Sequence, residues 1–290
     1  MSFDFFLTAL IQGMAFAGLG LGVYLTLRIF NIPDITTDGS YTLGGVVTAL
    51  ALVSGWHPLL AIVASGLAGS LAGAGCGLIH TRLNTAPLLA GILMMTALYS
   101  VNLIALGRPN LPLTGMDPFA ELTGLDNPVQ ASLAAIVLLV LLIGAKLLFL
   151  LKTDFGLAMR ATGNSEAMVR AMGVDVKRMK VIGLALANAL TAISGSLITQ
   201  YQGFADINMG IGIVIAGLAA VMIGEAFSGK NTGRSLPIQI LAVIAGGVVF
   251  RMAIAGALSA GLDPGYLRLI TAMIVLSIIA LGNLRKPSNA

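Results

Sequence analysis

Charge is what this sequence has least of. Only 10% of its 290 residues are Asp, Glu, Lys or Arg, against about 25% in a soluble domain, so the chain cannot clothe a water-facing surface. Aromatic residues are also sparse, at 6%. Cysteine occurs once, as Cys76 in an apolar run, which excludes a disulfide framework or a cysteine–zinc cluster within the chain. The two histidines, His57 and His80, are far apart and form no H-E-x-x-H, which argues against a metalloprotease site or another bound metal. The sequence has no G-x-x-x-x-G-K-[ST] phosphate loop, so it does not hydrolyse ATP alone. It has no G-x-S-x-G either, and Ser194-Gly195-Ser196 lies in an apolar helix and reads as packing. The expectation is a protein that is not an enzyme.

What the chain does have is apolar length. Hydrophobic residues make up 57%, and the mean hydropathy is +0.97. A bilayer core of about 30 Å is crossed by about 20 apolar residues in a helix. Runs of that kind recur near 5–27, 39–54, 58–79, 86–107, 130–151, 180–202, 211–227, 237–257 and 265–283, the second and seventh being short. The fold expected is an all-α polytopic membrane protein of about nine transmembrane helices, residues 1–290 forming a single transmembrane domain. The start, MSFDFFLTAL, lacks a basic leader and reads as a retained first span. Glycine, at 36 residues, has no period. Gly18-x-x-x-Gly22, Gly69-x-x-x-Gly73 and Gly73-x-x-x-Gly77 suit close helix contact, within the chain or between subunits.

The basic residues give the direction. Placing 152–179 in the cytoplasm, with Lys180 at its border, puts Arg28, Arg82, Lys230, Arg234, Arg285 and Lys286 there too, together 12 of the 16 Lys and Arg. Asp4, Asp117, Glu121, Asp126, Asp206 and Asp263 fall on the other side, with Arg108 the basic exception. The N-terminus is then outside and the C-terminus inside. The net charge of +4 reflects this topology and implies no nucleic-acid partner.

Three regions could carry function. The first is the polar stretch between the fifth and sixth spans, where 157–161 and 165–172 are helix-capable. Asn164 or Ser165 can cap the second piece, Glu166 suits its positive end, and Gly173 can stop it. Ala167, Met168, Ala171 and Met172 form an apolar stripe, and Glu166 and Arg170 are spaced as an i, i+4 pair. Such a helix lies on anionic lipid or seats in a groove of a soluble ATPase. The second is NIPDITTDGSYT. Asp34 and Asp38, with Thr37 and Tyr41, are either a re-entrant pore element or a hydrated cytoplasmic turn in which Asp38 caps the next helix. The third is a set of polar groups inside spans. Asn188 is interhelical glue or a solute contact. Glu225 pairs locally with Lys230 or Arg234, or forms an inner gate. Arg251 and Arg268, near outer helix ends, either pair with Asp263 or meet a binding protein outside the membrane. The outer loop, 108–129, is rich in proline and is a docking surface or a connector.

The run GLAMRATGNSEAMVRAMGVDVKRMKVIGLALANALTAISGSL resembles the cytoplasmic region and following helix of ABC-importer permeases of the branched-chain amino acid and ribose type. Gly156, Arg160, Ala161, Gly163, Asn164, Ala167 and Gly173 fall in the family's frame, with one residue fewer between Gly163 and Asn164 and with Val174 for isoleucine. Gly224, Gly229 and Gly233 keep part of a later glycine block, from which Glu225 and Asn231 depart. The tryptophan/tyrosine-type subgroup is nearest. The resemblance implies one half of a transmembrane dimer, more readily a homodimer, in a bacterial inner membrane. Two cytoplasmic ATPase subunits would carry ATP and Mg and bind the coupling residues Arg160, Asn164, Glu166, Met168, Arg170 and Met172. A solute-binding protein outside would deliver a small polar organic solute, such as an amino acid. No cofactor is expected in this chain. The alternative class is a secondary transporter driven by H⁺ or Na⁺ through Asp34, Asp38 or Glu225.

Overall fold

The computed structural model describes residues 3–125, 127–228, 235–261 and 263–284. Asp126, Gly229, Lys230, Asn231, Gly233, Arg234, Arg285 and Lys286 lie outside that set, as does the side chain of Arg268. The chain opens on α1 (Phe3–Ala15) and α2 (Ala17–Tyr24), which run on through a π-helical turn, Leu25–Ile29, to make one apolar span. There Phe30 N–H bonds the Leu25 carbonyl. Asn31 then takes a left-handed φ of 55°, and Pro33, which has no N–H, prevents the helix from resuming. α3 (Thr36–Val53) restarts it. α4 (Pro58–Arg82) is capped by His57, whose Nδ1 accepts from Leu59 N–H at 3.3 Å, and α5 (Pro87–Leu106) ends on Gly107 at φ 67°.

The outer loop has more structure than its composition suggested. β1 (Asn110–Pro112) pairs antiparallel with β2 (Phe204–Asp206), with Leu111 opposite Ala205, and α6 (Pro118–Thr123) follows β1. This ribbon is a small addition to an otherwise helical fold, and it staples the loop to the end of the sixth predicted span. Next come α7 (Pro128–Lys152), α8 (Asp154–Asn164), α9 (Glu166–Ala171) and α10 (Val176–Gln202). α11 (Ile213–Ser228), α12 (Leu236–Ser259), a 3₁₀ turn at Pro264–Tyr266 and α13 (Leu267–Leu284) complete the fold.

Six helical segments among the described residues are long and apolar enough to cross a membrane: Phe5–Ile29, α4, α5, α7, α10 and α12. α3, with 18 residues, does not join them because it is polar, and it is polar because protein surrounds it: 15 of the 18 are buried. The helix at the centre is α10. Gly18 and Gly22 of α2 lie against Leu190, Ser194, Ala187 and Thr191 of α10. Gly69, Gly73 and Gly77 of α4 lie against Ala192, Asn188, Leu184 and Val181. All three spaced-glycine motifs therefore pack within the chain. Gly44 of α3 meets the Ala192 backbone, and Gly195 of α10 meets the Tyr41 carbonyl. Thr48 donates to Ser196 at 2.6 Å, Ser65 to the Ala192 carbonyl at 3.1 Å, and Ser194 to the Ala15 carbonyl at 2.6 Å. Small side chains bring the backbones together, and their hydroxyls reach carbonyl or hydroxyl acceptors across the contacts where no water reaches.

Gly44→Ala should place its methyl on the Ala192 backbone, which has no rotamer to yield, and lower stability by about 1–3 kcal/mol. Gly256→Ala, whose Cβ meets nothing within 4 Å, should be neutral or stabilising. Thermal unfolding of the two variants in detergent checks the contrast.

Candidate functional site

The break between the first span and α3 holds the two acids picked out in the sequence. Asp34 is 6% exposed and Asp38 7%, so the hydrated-turn reading is overturned. Asp34 Oδ1 accepts from Thr36 N–H at 2.9 Å, and its Oδ2 accepts from Asn188 Nδ2 at 2.8 Å. Cys76 Sγ stands 3.9 Å from Oδ1. Thr37 donates its hydroxyl to the Asp34 carbonyl at 3.2 Å. Asn188 lies near the middle of the 27-residue α10, so Asp34 is held deep in the bundle. A carboxylate at such depth costs about 2.5–3.5 kcal/mol on insertion scales, and two fixed N–H donors offset part of that.

Asp38 does not cap its own helix. Its oxygens accept from Gly212 N–H at 2.8 Å and Val214 N–H at 2.9 Å, so it caps α11, some 174 residues away. A carboxylate there meets both the unpaired N–H groups and the positive end of the α11 dipole. Tyr41, one turn further along α3, is buried with its hydroxyl unpartnered, and its ring stacks on Phe16 at 5.8 Å. Asn102 donates to the Gly39 carbonyl at 3.2 Å, the interhelical glue expected of a buried amide. Asp34, Thr37, Asp38, Tyr41 and Asn188 thus form one connected region around α3. Glu225 is elsewhere.

Glu225, at the other end of α11, forms an ion pair with Arg28 of the π-helical turn. Its expected local partners, Lys230 and Arg234, lie outside the described residues. The observed partner is 197 residues distant in sequence, a separation that no local pattern shows. Beside this pair Tyr24 donates to Gln239 Oε1 at 2.5 Å. The last turns of the first span, α11 and the first turn of α12 are thereby tied at one end of the bundle.

That end also carries α8 and α9. Thr153 caps α8 through Gly156 N–H at 3.3 Å, and Ser165, not Asn164, caps α9 through Met168 N–H at 3.4 Å. Asn164 ends α8 instead. Gly173 stops the segment at φ 83°. Glu166 pairs with Lys180 of α10 at 2.6 Å, which corrects the expected i, i+4 pairing with Arg170. Val169 is buried and anchors α9, while Met168 is 62% and Met172 70% exposed. Gly163 of α8 sits directly on the backbone of Ile29 and Phe30, next to Arg28. Arg160, on the same helix, has its Nε buried without a partner, within electrostatic reach of Tyr24. The six residues assigned to coupling therefore divide: Arg160 faces the bundle, whereas Asn164, Glu166, Met168, Arg170 and Met172 face out.

Arg251 corrects another expectation. It does not pair with Asp263, whose Oδ1 accepts from Gly265 N–H at 2.7 Å. Its guanidinium lies 3.6 Å over the Phe16 ring. The sequence signal was present, a single arginine within an apolar run, but Phe16 gives no sign in sequence of being its neighbour.

Residues 5–282 match the family described as branched-chain amino acid transport system/permease component. The chain belongs to this family. A tyrosine transport system permease protein from Clostridioides difficile (strain R20291) is 34% identical over 98% of this chain and 94% of its own length. The ribose import permease protein RbsC of Bacillus subtilis (strain 168) is 27% identical over 87% of this chain and 76% of its own. Among solved structures, an inward-facing conformation of a metal-chelate type ABC transporter aligns with a TM-score of 0.55 at 16% identity, over 97% of this chain and 86% of that one. That likeness concerns the fold. Members of the permease family are translocation components and not enzymes, and the chain is a multi-pass protein of the bacterial inner membrane.

Asn188→Leu should leave Asp34 buried without its side-chain donor and cost about 1–3 kcal/mol of stability. In Asp34→Asn the same Asn188 change should cost less. A double-mutant cycle by thermal unfolding measures the difference.

Proposed function

We propose that this chain is the membrane-spanning subunit of an ATP-driven importer for a small polar organic solute of the amino acid class. Two copies would pair, each with nine spans, its N-terminus outside and its C-terminus inside. An ATPase subunit carrying ATP and Mg would dock on α8–α9, and a solute-binding protein would dock on the opposite face. The observation that carries this reading is the exposed Met168 and Met172 on a short helix that is capped, anchored by Val169 and clamped to α10 by Glu166 and Lys180. Apolar side chains held out on a rigid mount suit a partner's groove. The Clostridioides difficile relative is named for tyrosine transport, and this is the basis for the solute class.

The geometry suggests how the docked ATPase would act. Movement of α9 carries α8 with it, and Gly163 bears on Ile29, one residue from Arg28. The Arg28–Glu225 pair is then the contact that closes the inner end and opens when α8 shifts. Asp34, Thr37, Asp38, Tyr41 and Asn188 set the break and the start of α11 around which the helices tilt. Ion-coupled transport draws less support, because both acids it would use inside the bundle are already engaged by fixed donors.

The test is ATP hydrolysis by the permease co-purified with its ATPase in lipid nanodiscs. Met168→Asp with Met172→Asp should lower the amount of ATPase retained by about tenfold or more, with the permease still folded by thermal unfolding. Full retention and full solute-stimulated hydrolysis in that variant would remove α9 as the docking element.

A further inference from the structure

Arg251 is a charge within a span for which the described residues supply no ionic partner. An arginine within a span is costly to insert, and such residues commonly face a cavity or a partner. Here the guanidinium rests on Phe16, whose other neighbour is Tyr41. Its Nε is enclosed without a partner, and so is the Tyr41 hydroxyl. The ion pairs among the described residues are Arg28–Glu225, Arg178–Asp175 and Lys180–Glu166, none of which involves Arg251. Asp38, Asp206 and Asp263 are engaged elsewhere: Asp38 with α11, Asp206 with Asn110 and Asn208 N–H, and Asp263 with Gly265 N–H.

Arg251 lines a cavity of about 630 Å³ between α1, α11, α12 and α13, within the ~300–1,000 Å³ typical of small-molecule sites. Three more polar side chains line it, Thr8, Gln12 and Thr271, and the rest of the wall is largely apolar, with Phe5 and Phe250 the aromatic members. Among the described residues that line it, none is acidic. The described wall offers an ammonium no carboxylate, and it has too few donors and acceptors to engage every hydroxyl of a sugar. It has one guanidinium, whose planar fork matches a carboxylate.

We propose that this cavity receives the transported solute, that the solute carries a carboxylate on an apolar body, and that Arg251 pairs with that carboxylate while Phe16 supports the guanidinium. The proposal rests on the importer reading and narrows its solute class. It also ranks the parts of the solute, since the carboxylate is essential and an α-amino group is dispensable.

The test uses the full permease–ATPase complex in membrane vesicles, with Thr271→Cys as a reporter in the cavity wall. Native Cys76 is buried, at 2% exposure, and stays silent. The rate of labelling by a water-soluble thiol reagent is measured with L-tyrosine, L-leucine, 3-(4-hydroxyphenyl)propionate or tyramine present. The three carboxylates should slow labelling by about tenfold and tyramine should not, and Arg251→Gln should abolish the protection while Arg251→Lys keeps part of it. Should Arg251→Gln fail to accumulate, the contrast between the propionate and tyramine still decides. Equal protection by tyramine, or none by any carboxylate, overturns the proposal. So does native mass spectrometry showing a phospholipid bound to the complex and lost in Arg251→Gln, with no protection by the acids, because a lipid phosphate would then be the partner of Arg251. ATP-driven uptake of labelled solutes by the same vesicles separates the two levels. Uptake of ribose without protection by carboxylates leaves the importer and removes the carboxylate site. Protection without any ATP-dependent uptake keeps the site and removes the importer.

Discussion

The contact on which the rest of the structure depends is the close approach of helix backbones along α10. In lipid there is no hydrophobic drive between apolar helices, so association relies on van der Waals contact and on hydrogen bonds that water cannot replace. α10 meets that demand on three sides at once. Glycines of α2 and α4 lie on its backbone from two directions, and Gly44 of α3 meets it from a third. Because the backbones touch, the short hydroxyls of Ser65, Thr48 and Ser194 can reach their acceptors across the contacts. A bulkier side chain at any of these points would separate a helix pair and leave a serine or threonine unsatisfied in the interior.

From that core follows the unusual position of α3. A helix with three threonines, a serine and an aspartate among its first seven residues would not lie against lipid, yet it fits inside a ring of α4, α5 and α10. Its polar start is then used locally. Asp34 ties the break to α10, and Asp38, within α3's first turn, ties α3 to α11. Each acid is one residue with two attachments, and together they join segments from opposite ends of the sequence. The break at Asn31–Ile35 is therefore a pinned corner, and the helical parts on either side of it meet at a defined place.

Much of the architecture was legible in the sequence because membrane spans obey a length rule and basic residues mark the loops. The predicted 58–79 became Pro58–Arg82, and 180–202 became Val176–Gln202. The caps of α9 were legible too, since Ser165 and Gly173 act through local geometry. What could not be read were the partners. Glu166 and Arg170 have the spacing of a helical pair, but α9 is under two turns long and α10 presents Lys180 within reach. Glu225 finds Arg28, and Asp38 finds α11, across nearly two hundred residues of chain. Periodicity and spacing describe one helix at a time, and these pairings are properties of how helices are assembled. The β1–β2 ribbon was missed for the same reason: three residues from each of two distant loops carry no pattern of their own.

The buried charges divide into two kinds, and the division separates structure from function. Asp34 and Asp38 sit where fixed donors converge on them, which is the arrangement that makes a buried carboxylate tolerable as a part of the scaffold. Arg251 has an aromatic ring beneath it and open space in front. A cation–π contact is worth about 0.5–2 kcal/mol, less than the insertion cost of an arginine, so packing alone does not account for its place in α12. A scaffold under no other demand would meet that deficit with an acid on a neighbouring helix, and none is among the described residues of the cavity wall. An acid there would silence the guanidinium by pairing with it. With no such acid among the described lining residues, the charge stays open to whatever enters the cavity, and this is the ground on which the solute site is proposed there.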